Sequence, residues 1–199
     1  MPRLPTETRW IIVGGGFAGA ATAWALGGAG CGPGVILEQE IACGTHASGR
    51  NAALARLFEP DPVIGALARR SIPRIRGFEC PEGPLIRPVG GLTLAGPHGA
   101  AAVVTEHDAM REHGLAVRLL SPAQARAQFP FLDALEFEIA LWCGDDGVAD
   151  IHALLSFYLT SARRSGFTTT RGAGWTRCSP RADASRAFTP TSALCARIA

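Results

Sequence analysis

"IIVGGGFAGAATAWALGGAGCGPGVILEQE", residues 11–40, decides how this chain folds. Its apolar character raises the question of a membrane span, which needs about 20 uninterrupted apolar residues. Glycines break the run at Gly14, Gly15 and Gly16, and again between Gly27 and Gly34, so the stretch reads as alternating elements. Residues 9–13 hold a short buried run, Trp10, Ile11, Ile12 and Val13, which predicts a strand. Residues 17–28 carry small and apolar side chains on every face, as in a helix packed closely on a sheet, and Gly27 and Gly28 end it. Residues 34–38 form a second buried strand, giving β-α-β within about 30 residues.

Gly14-x-Gly16-x-x-Gly19 lies after the strand and opens the helix, where a dinucleotide fingerprint belongs. Gly14 permits the tight turn, Gly16 lets backbone approach a pyrophosphate, and Gly19 lets helix and strand pack closely. Ala23 keeps that same helix face small. Phosphates are expected at the helix N-terminus, where free N–H groups and the dipole favour negative charge. Glu38 ends the second strand, the place of a carboxylate that binds ribose hydroxyls and repels a 2′-phosphate, which disfavours NADP. FAD and NAD share this fingerprint, and purely structural glycines are the competing reading.

Composition narrows the function classes. The chain has 199 residues, under a fifth of them charged, and a net charge of +2, which favours neither a nucleic-acid binder nor a membrane-surface protein. Every basic residue is arginine, so lysine Schiff-base chemistry is excluded. Six cysteines occur without a CxxC pair, and the histidines show no HxxxH spacing, so neither a zinc site nor a disulfide framework is expected. Nothing like a cleavable signal precedes the first strand, and a reducing cytoplasm is the expected location.

Farther along, residues 62–77 predict a helix that Pro73 kinks or divides. Residues 89–96 read as a strand and 99–113 as a helix closed by Gly114. A strand then leads to Ser121 as N-cap with Pro122 at the first helical position, and this short helix stops at Pro130. Residues 137–143 are a further strand, "GDDGVAD" a turn, and Asp150 the cap of an amphipathic helix over residues 151–164 that Gly166 ends. Beyond Arg171 neither helical nor strand period persists, and the text reads as a solvated tail or as an end that has left its natural frame.

With "GTHASGRNAALARL" and "GDDGVADIHALLSFYLTSARRSG" added to residues 11–40, the chain resembles the FAD-dependent D-amino-acid oxidase/dehydrogenase superfamily. Within it, the chain looks most like the D-arginine-dehydrogenase-type branch. The resemblance implies an α/β fold of the FAD-linked Rossmann type (glutathione-reductase-like) with FAD as cofactor. It implies an FAD-binding domain in two segments, 8–82 and 142–172, a partial substrate or cap insertion over 83–141, and an irregular tail over 173–199. In the family the loop after the acidic residue crosses under the flavin, and His46, Ala47, Ser48, Gly49, Arg50 and Asn51 match its segment. Gly44, Thr45, Ser48 and Gly49 would then offer N–H and hydroxyl groups to phosphate and flavin oxygens, and Arg50 a positive charge, with Asn51 closing the segment. Without the resemblance, the same residues are a polar loop.

By the same resemblance His46 lies near flavin and substrate, and Glu82 aligns with an acid that recognises a cationic substrate side chain, with Glu79 as the nearby alternative. The strand after the 151–164 helix would contact adenine near residues 168–173. The implied reaction is oxidative deamination of a D-amino acid or related amine, with hydride passing to the flavin and the imine hydrolysing. Oxidation of a 2-hydroxy acid or of a secondary amine such as sarcosine is the alternative within the enzyme class. A non-catalytic nucleotide-binding fragment and an NAD-only Rossmann protein are the others. Family chains continue well beyond this length, and their carboxylate-binding half has no counterpart here, so the chain is expected to be the front half of such an enzyme.

Overall fold

The computed structural model describes residues 8–81 and 83–172. In chain order the elements are β1 (Trp10–Val13), α1 (Phe17–Gly28), β2 (Gly34–Leu37), β3 (Leu54–Ala55), α2 (Pro62–Arg76), β4 (Ile86–Arg87), β5 (Gly91–Ala95), α3 (Ala100–Glu112), β6 (Val117–Leu120), α4 (Pro122–Gln128), β7 (Ile139–Cys143), β8 (Gly147–Ala149), α5 (Ile151–Arg164) and β9 (Phe167–Thr170). Short 3-10 turns occupy Ala47–Gly49 and Pro130–Leu132. The described residues divide into two compact units, 8–51 with 151–172, and those within Ala52–Asp150.

The first unit is built on a parallel sheet in the order β1-β2-β9. Ile11 stands opposite Val35, and Val35 opposite Thr168. Parallel strands covered by helices read as continuous apolar runs, and all four residues of β2 are buried. Helix α1 presents Ala20 and Ala23, both fully buried. Ala23, Ile36, Ala162 and Phe167 form the core, flanked by Ile12, Leu26 and Leu159. Trp24 packs its ring against Tyr158 and Phe157 of α5, with centroids 5.3 and 6.5 Å apart. The second strand and the helix before β9 thus fall where the sequence places them, and β9 begins at Phe167 and pairs with β2.

The second unit contains two antiparallel sheets, β3-β8-β4 and β5-β7-β6. It takes in residues on both sides of the 83–141 stretch. Phe58, Val103, Met110, Leu141 and Cys143 form one core, and Leu120, Ala125, Leu132 and Ala140 another. The capping expected at Ser121 is present as a reciprocal box: its hydroxyl accepts from Gln124 N–H, and the Gln124 side chain accepts from Ser121 N–H. Asp146 is buried, and its Oδ1 accepts the Leu57 N–H at 2.9 Å.

Three local expectations are corrected. Residues 10–13 form β1 but not a buried run: among the described residues β1 is an edge strand, and Trp10 and Val13 at its ends are exposed. "GDDGVAD" is not simply a turn: Gly147, Val148 and Ala149 form β8, which pairs with both β3 and β4. These partners lie far away along the chain, so no local period announces them. For the same reason the two-residue strands β3 and β4 are not foreseen. Pro73 does not divide α2, which runs unbroken from Pro62 to Arg76. It stands in the last turn, where the missing N–H removes a single helical bond. Among the described residues no helix is long and apolar enough to cross a membrane. Residues 173–199, including the aperiodic end, lie outside the described residues.

Candidate nucleotide site

All the described residues of the candidate site fall in the unit formed by the two chain ends. The turn after β1 begins at Gly14, whose φ of +96° is strained for any residue with a side chain. Its N–H donates to the Leu37 carbonyl at 2.7 Å, which ties the turn to the end of β2. Beyond it, backbone runs against neighbouring side chains. A Cβ on Gly15 would stand 2.6 Å from Cys43 Sγ and 3.1 Å from Glu38 Oε2, and one on Gly16 2.7 Å from Ser48 Oγ. A Cβ on Gly19 would fall on the Gly14 carbonyl oxygen and within 3.1 Å of Ile12 Cγ2. Helix and strand therefore meet at Gly19 as the fingerprint requires. The small size of Gly16 has a second cause, the Ser48 hydroxyl, and Gly15 is as constrained as the three glycines of the motif.

Glu38 is 7% exposed, and backbone holds both of its oxygens. Gly15 N–H donates to Oε2 at 2.7 Å, and Glu40 N–H to Oε1 at 2.9 Å. Its own N–H donates to the Thr170 carbonyl at 2.9 Å, so β9 fixes the residue from the far side. Each carboxylate oxygen has two acceptor sites. The arrangement thus keeps a buried anion satisfied while leaving acceptor capacity for hydroxyl donors. Burial, and next the Glu38 charge, push the Cys43 thiol above its ordinary range, with Arg171 opposing.

An α-helix leaves its first N–H groups without intrahelical partners. In α1 Phe17 N–H finds one outside the helix: it donates to Ser48 Oγ at 2.9 Å. No acidic residue stands in the first turn, so no side chain of the helix itself neutralises its positive end. Ser48 lies in the 3-10 turn, which Gly49 N–H closes onto the His46 carbonyl at 2.9 Å. Gly44 has a φ of +76°, and a Cβ on Gly49 would stand 2.5 Å from its carbonyl oxygen, so the two glycines bring the ends of this loop together.

The other loop residues are placed as follows. Thr45 is engaged with its own loop, its hydroxyl donating to the Ala42 carbonyl at 2.7 Å. Asn51 Nδ2 donates to the Ser48 carbonyl at 2.9 Å, and Arg50 is exposed. His46 Nε2 faces Glu40 Oε1 at 2.9 Å. Glu82 lies outside the described residues, and Glu79 belongs to the other unit. Sequence reading passed over Gly15, Cys43 and Glu40; the only signal available was the third adjacent glycine.

A glycine turn with bare backbone, a first helical turn without acidic residues of its own and a buried, doubly held carboxylate suit a dinucleotide's diphosphate and ribose. The comparisons agree with that fit. Over residues 9–187 the chain matches the family described as DAO, FAD dependent oxidoreductase. No curated protein matches the chain. Among solved structures it is similar to L-proline dehydrogenase from P. horikoshii (TM-score 0.76, 20% identity, covering 90% of this chain and 48% of that one). It is similar as well to glycine oxidase from Bacillus cereus ATCC 14579 (0.68, 20%, 83% and 47%) and to L-amino acid deaminase from Proteus vulgaris (0.73, 17%, 92% and 44%). The chain therefore spans about half the length of these structures. The match over residues 9–187 makes this chain a member of the DAO family of FAD-dependent oxidoreductases.

Proposed function

We propose that this chain is the nucleotide-holding part of a flavoenzyme that oxidises an amino acid or related amine, with a D-amino acid as the substrate class. The observation that carries the reading is Glu38, buried and held by the N–H groups of Gly15 and Glu40 beside the glycine turn. Gly14, Gly16 and Gly19 shape the turn against which the diphosphate lies, and Glu38 accepts hydrogen bonds from ribose hydroxyls. Ser48, already accepting from Phe17 N–H, has its hydroxyl proton free to donate to a phosphate oxygen. Gly44, Thr45, Gly49 and Asn51 keep that loop in place, and exposed Arg50 adds positive charge near the anion. FAD, when bound, supplies the two-electron acceptor for the oxidation.

His46 is assigned to the substrate side, where an imidazole orients a substrate amine and takes or returns its proton. The unit Ala52–Asp150 is assigned to substrate contacts, with Glu82 recognising a cationic side chain of the D-arginine type. Support comes from family membership and from structural relatives named as glycine oxidase, L-proline dehydrogenase and L-amino acid deaminase. A reducing cytoplasm suits Cys31, Cys43, Cys80 and Cys143, all free thiols.

The test is titration of the purified chain with FAD, followed by absorbance, and then a panel of D-arginine, other D-amino acids, glycine, L-proline, sarcosine and a 2-hydroxy acid with an artificial electron acceptor. Uptake of flavin and turnover of D-amino acids are expected. A chain that takes up no FAD refutes the reading, and preference for sarcosine or a hydroxy acid refutes the substrate class. A second reading, a nucleotide-binding part without turnover of its own, is favoured by the 44–48% of relatives' length that the chain covers. FAD uptake with no turnover across the panel identifies it.

A further inference from the structure

Glu40 and His46 face each other across the loop between β2 and the 3-10 turn, with 2.9 Å between Oε1 and Nε2. Both stand on held backbone. Glu40 N–H donates to Glu38 Oε1 at 2.9 Å. The Glu40 carbonyl accepts from Gly172 N–H at 3.0 Å, and the His46 carbonyl from Gly49 N–H at 2.9 Å. Between them the Thr45 hydroxyl closes onto the Ala42 carbonyl. Gln39 Nε2 also reaches Glu40 Oε1, at 3.4 Å. An ionised carboxylate only accepts hydrogen bonds, so the ring nitrogen that faces it must carry the proton. That nitrogen is Nε2, and in the neutral ring the lone pair then lies on Nδ1.

The geometry points to Glu40 as a positioning residue for His46: it holds the imidazole in the Nε2–H tautomer and leaves Nδ1 as the atom that accepts a proton or a hydrogen bond from a substrate amine. This inference rests on the proposed place of His46 beside the substrate. Through its backbone the same residue also holds Glu38, so the ring and the nucleotide-holding acid are fixed by one short segment. The side chains of His46 and Glu40 are 60% and 36% exposed, and an exposed pair of this kind biases an equilibrium by up to about fivefold.

The experiment uses the full chain labelled with nitrogen-15 at histidine, at a pH where the ring is neutral. Long-range proton–nitrogen correlation spectra report which ring nitrogen is protonated, and His46→Asn assigns the signal. His46 is expected to show a protonated Nε2 and an unprotonated Nδ1. In Glu40→Ala the Nδ1–H form should rise by up to about fivefold, while Glu40→Gln, whose carbonyl oxygen still accepts, should restore the wild-type pattern. Unchanged signals from the other four histidines show that the variants fold. A His46 ring unchanged in Glu40→Ala, or one protonated at Nδ1 in the wild type, overturns the role of Glu40. FAD titration of the same samples separates the two readings. No uptake by the wild type overturns the proposed site and with it any part Glu40 plays there, whereas uptake with an unmoved ring overturns Glu40 alone.

Discussion

Substituting alanine at the two ends of α1 should change stability in opposite directions. At Gly19 the added Cβ would fall on the Gly14 carbonyl oxygen and crowd Ile12 Cγ2. The first neighbour is backbone, so no side-chain rotation relieves the overlap; overpacking costs about 1–3 kcal/mol, and a backbone clash belongs near the upper end, about 2–3. Alanine returns about 1 kcal/mol of helix propensity. The net loss is about 1–2 kcal/mol, which for a chain of this size is a fall in Tm of about 2–8 °C. At Gly28 nothing lies within 4 Å of the added Cβ. The same change there should stabilise by about 0.4–1 kcal/mol and raise Tm by about 1–4 °C. Thermal unfolding followed by circular dichroism, with and without FAD, measures both. Because the Gly19 clash displaces the Gly14 turn, that variant should also lose FAD affinity while Gly28→Ala keeps it. A Gly19→Ala chain as stable as the wild type, with FAD affinity intact, refutes the packing argument.

Further predictions concern the bonds around the turn and one buried thiol. Ser48→Ala removes the acceptor of Phe17 N–H, and the urea midpoint should fall by an amount equivalent to about 0.5–1.5 kcal/mol, together with weaker FAD binding. Glu38→Ala leaves the N–H groups of Gly15 and Glu40 without their acceptor and should cost about 1.5–3 kcal/mol for the first bond alone; Glu38→Gln keeps one acceptor oxygen and should cost less. An equal effect from both variants in urea unfolding would argue against those bonds. Burial, then the Asp146 charge, raise the Cys143 thiol above its ordinary range. The folded chain therefore keeps its proton where the unfolded chain has lost it, so this group's contribution to stability is complete below the unfolded thiol value of about 8.5 and declines as pH rises through the folded value. Unfolding free energies across alkaline pH should show that decline, and Cys143→Ala should flatten it.

Much of the first unit was legible along the chain. Unbroken apolar residues in β1 and β2, the glycines between them and Glu38 at the second strand's end are local signals with a short-range cause. A left-handed turn needs glycine, and a strand buried on both faces, as β2 is, needs apolar side chains throughout. The capping box at Ser121 is equally local. The site loop was legible only as a run of residue types. That Cys43 lies against Gly15, that Glu40 faces His46, or that the Thr45 hydroxyl is spent on its own loop has no periodic signature.

Residue order alone settled the β-α-β opening, the turn that needs glycine and the acid that follows, because neighbouring backbone and side-chain chemistry dictates them. Tertiary structure decided which distant groups meet. The Ser48 hydroxyl reaches Phe17 N–H across 31 residues, and Leu57 N–H reaches Asp146 across 89. The pairing of β8 with β3 and β4 is of the same kind. Such partners meet only once the chain has closed its loops, so no spacing in the sequence records them.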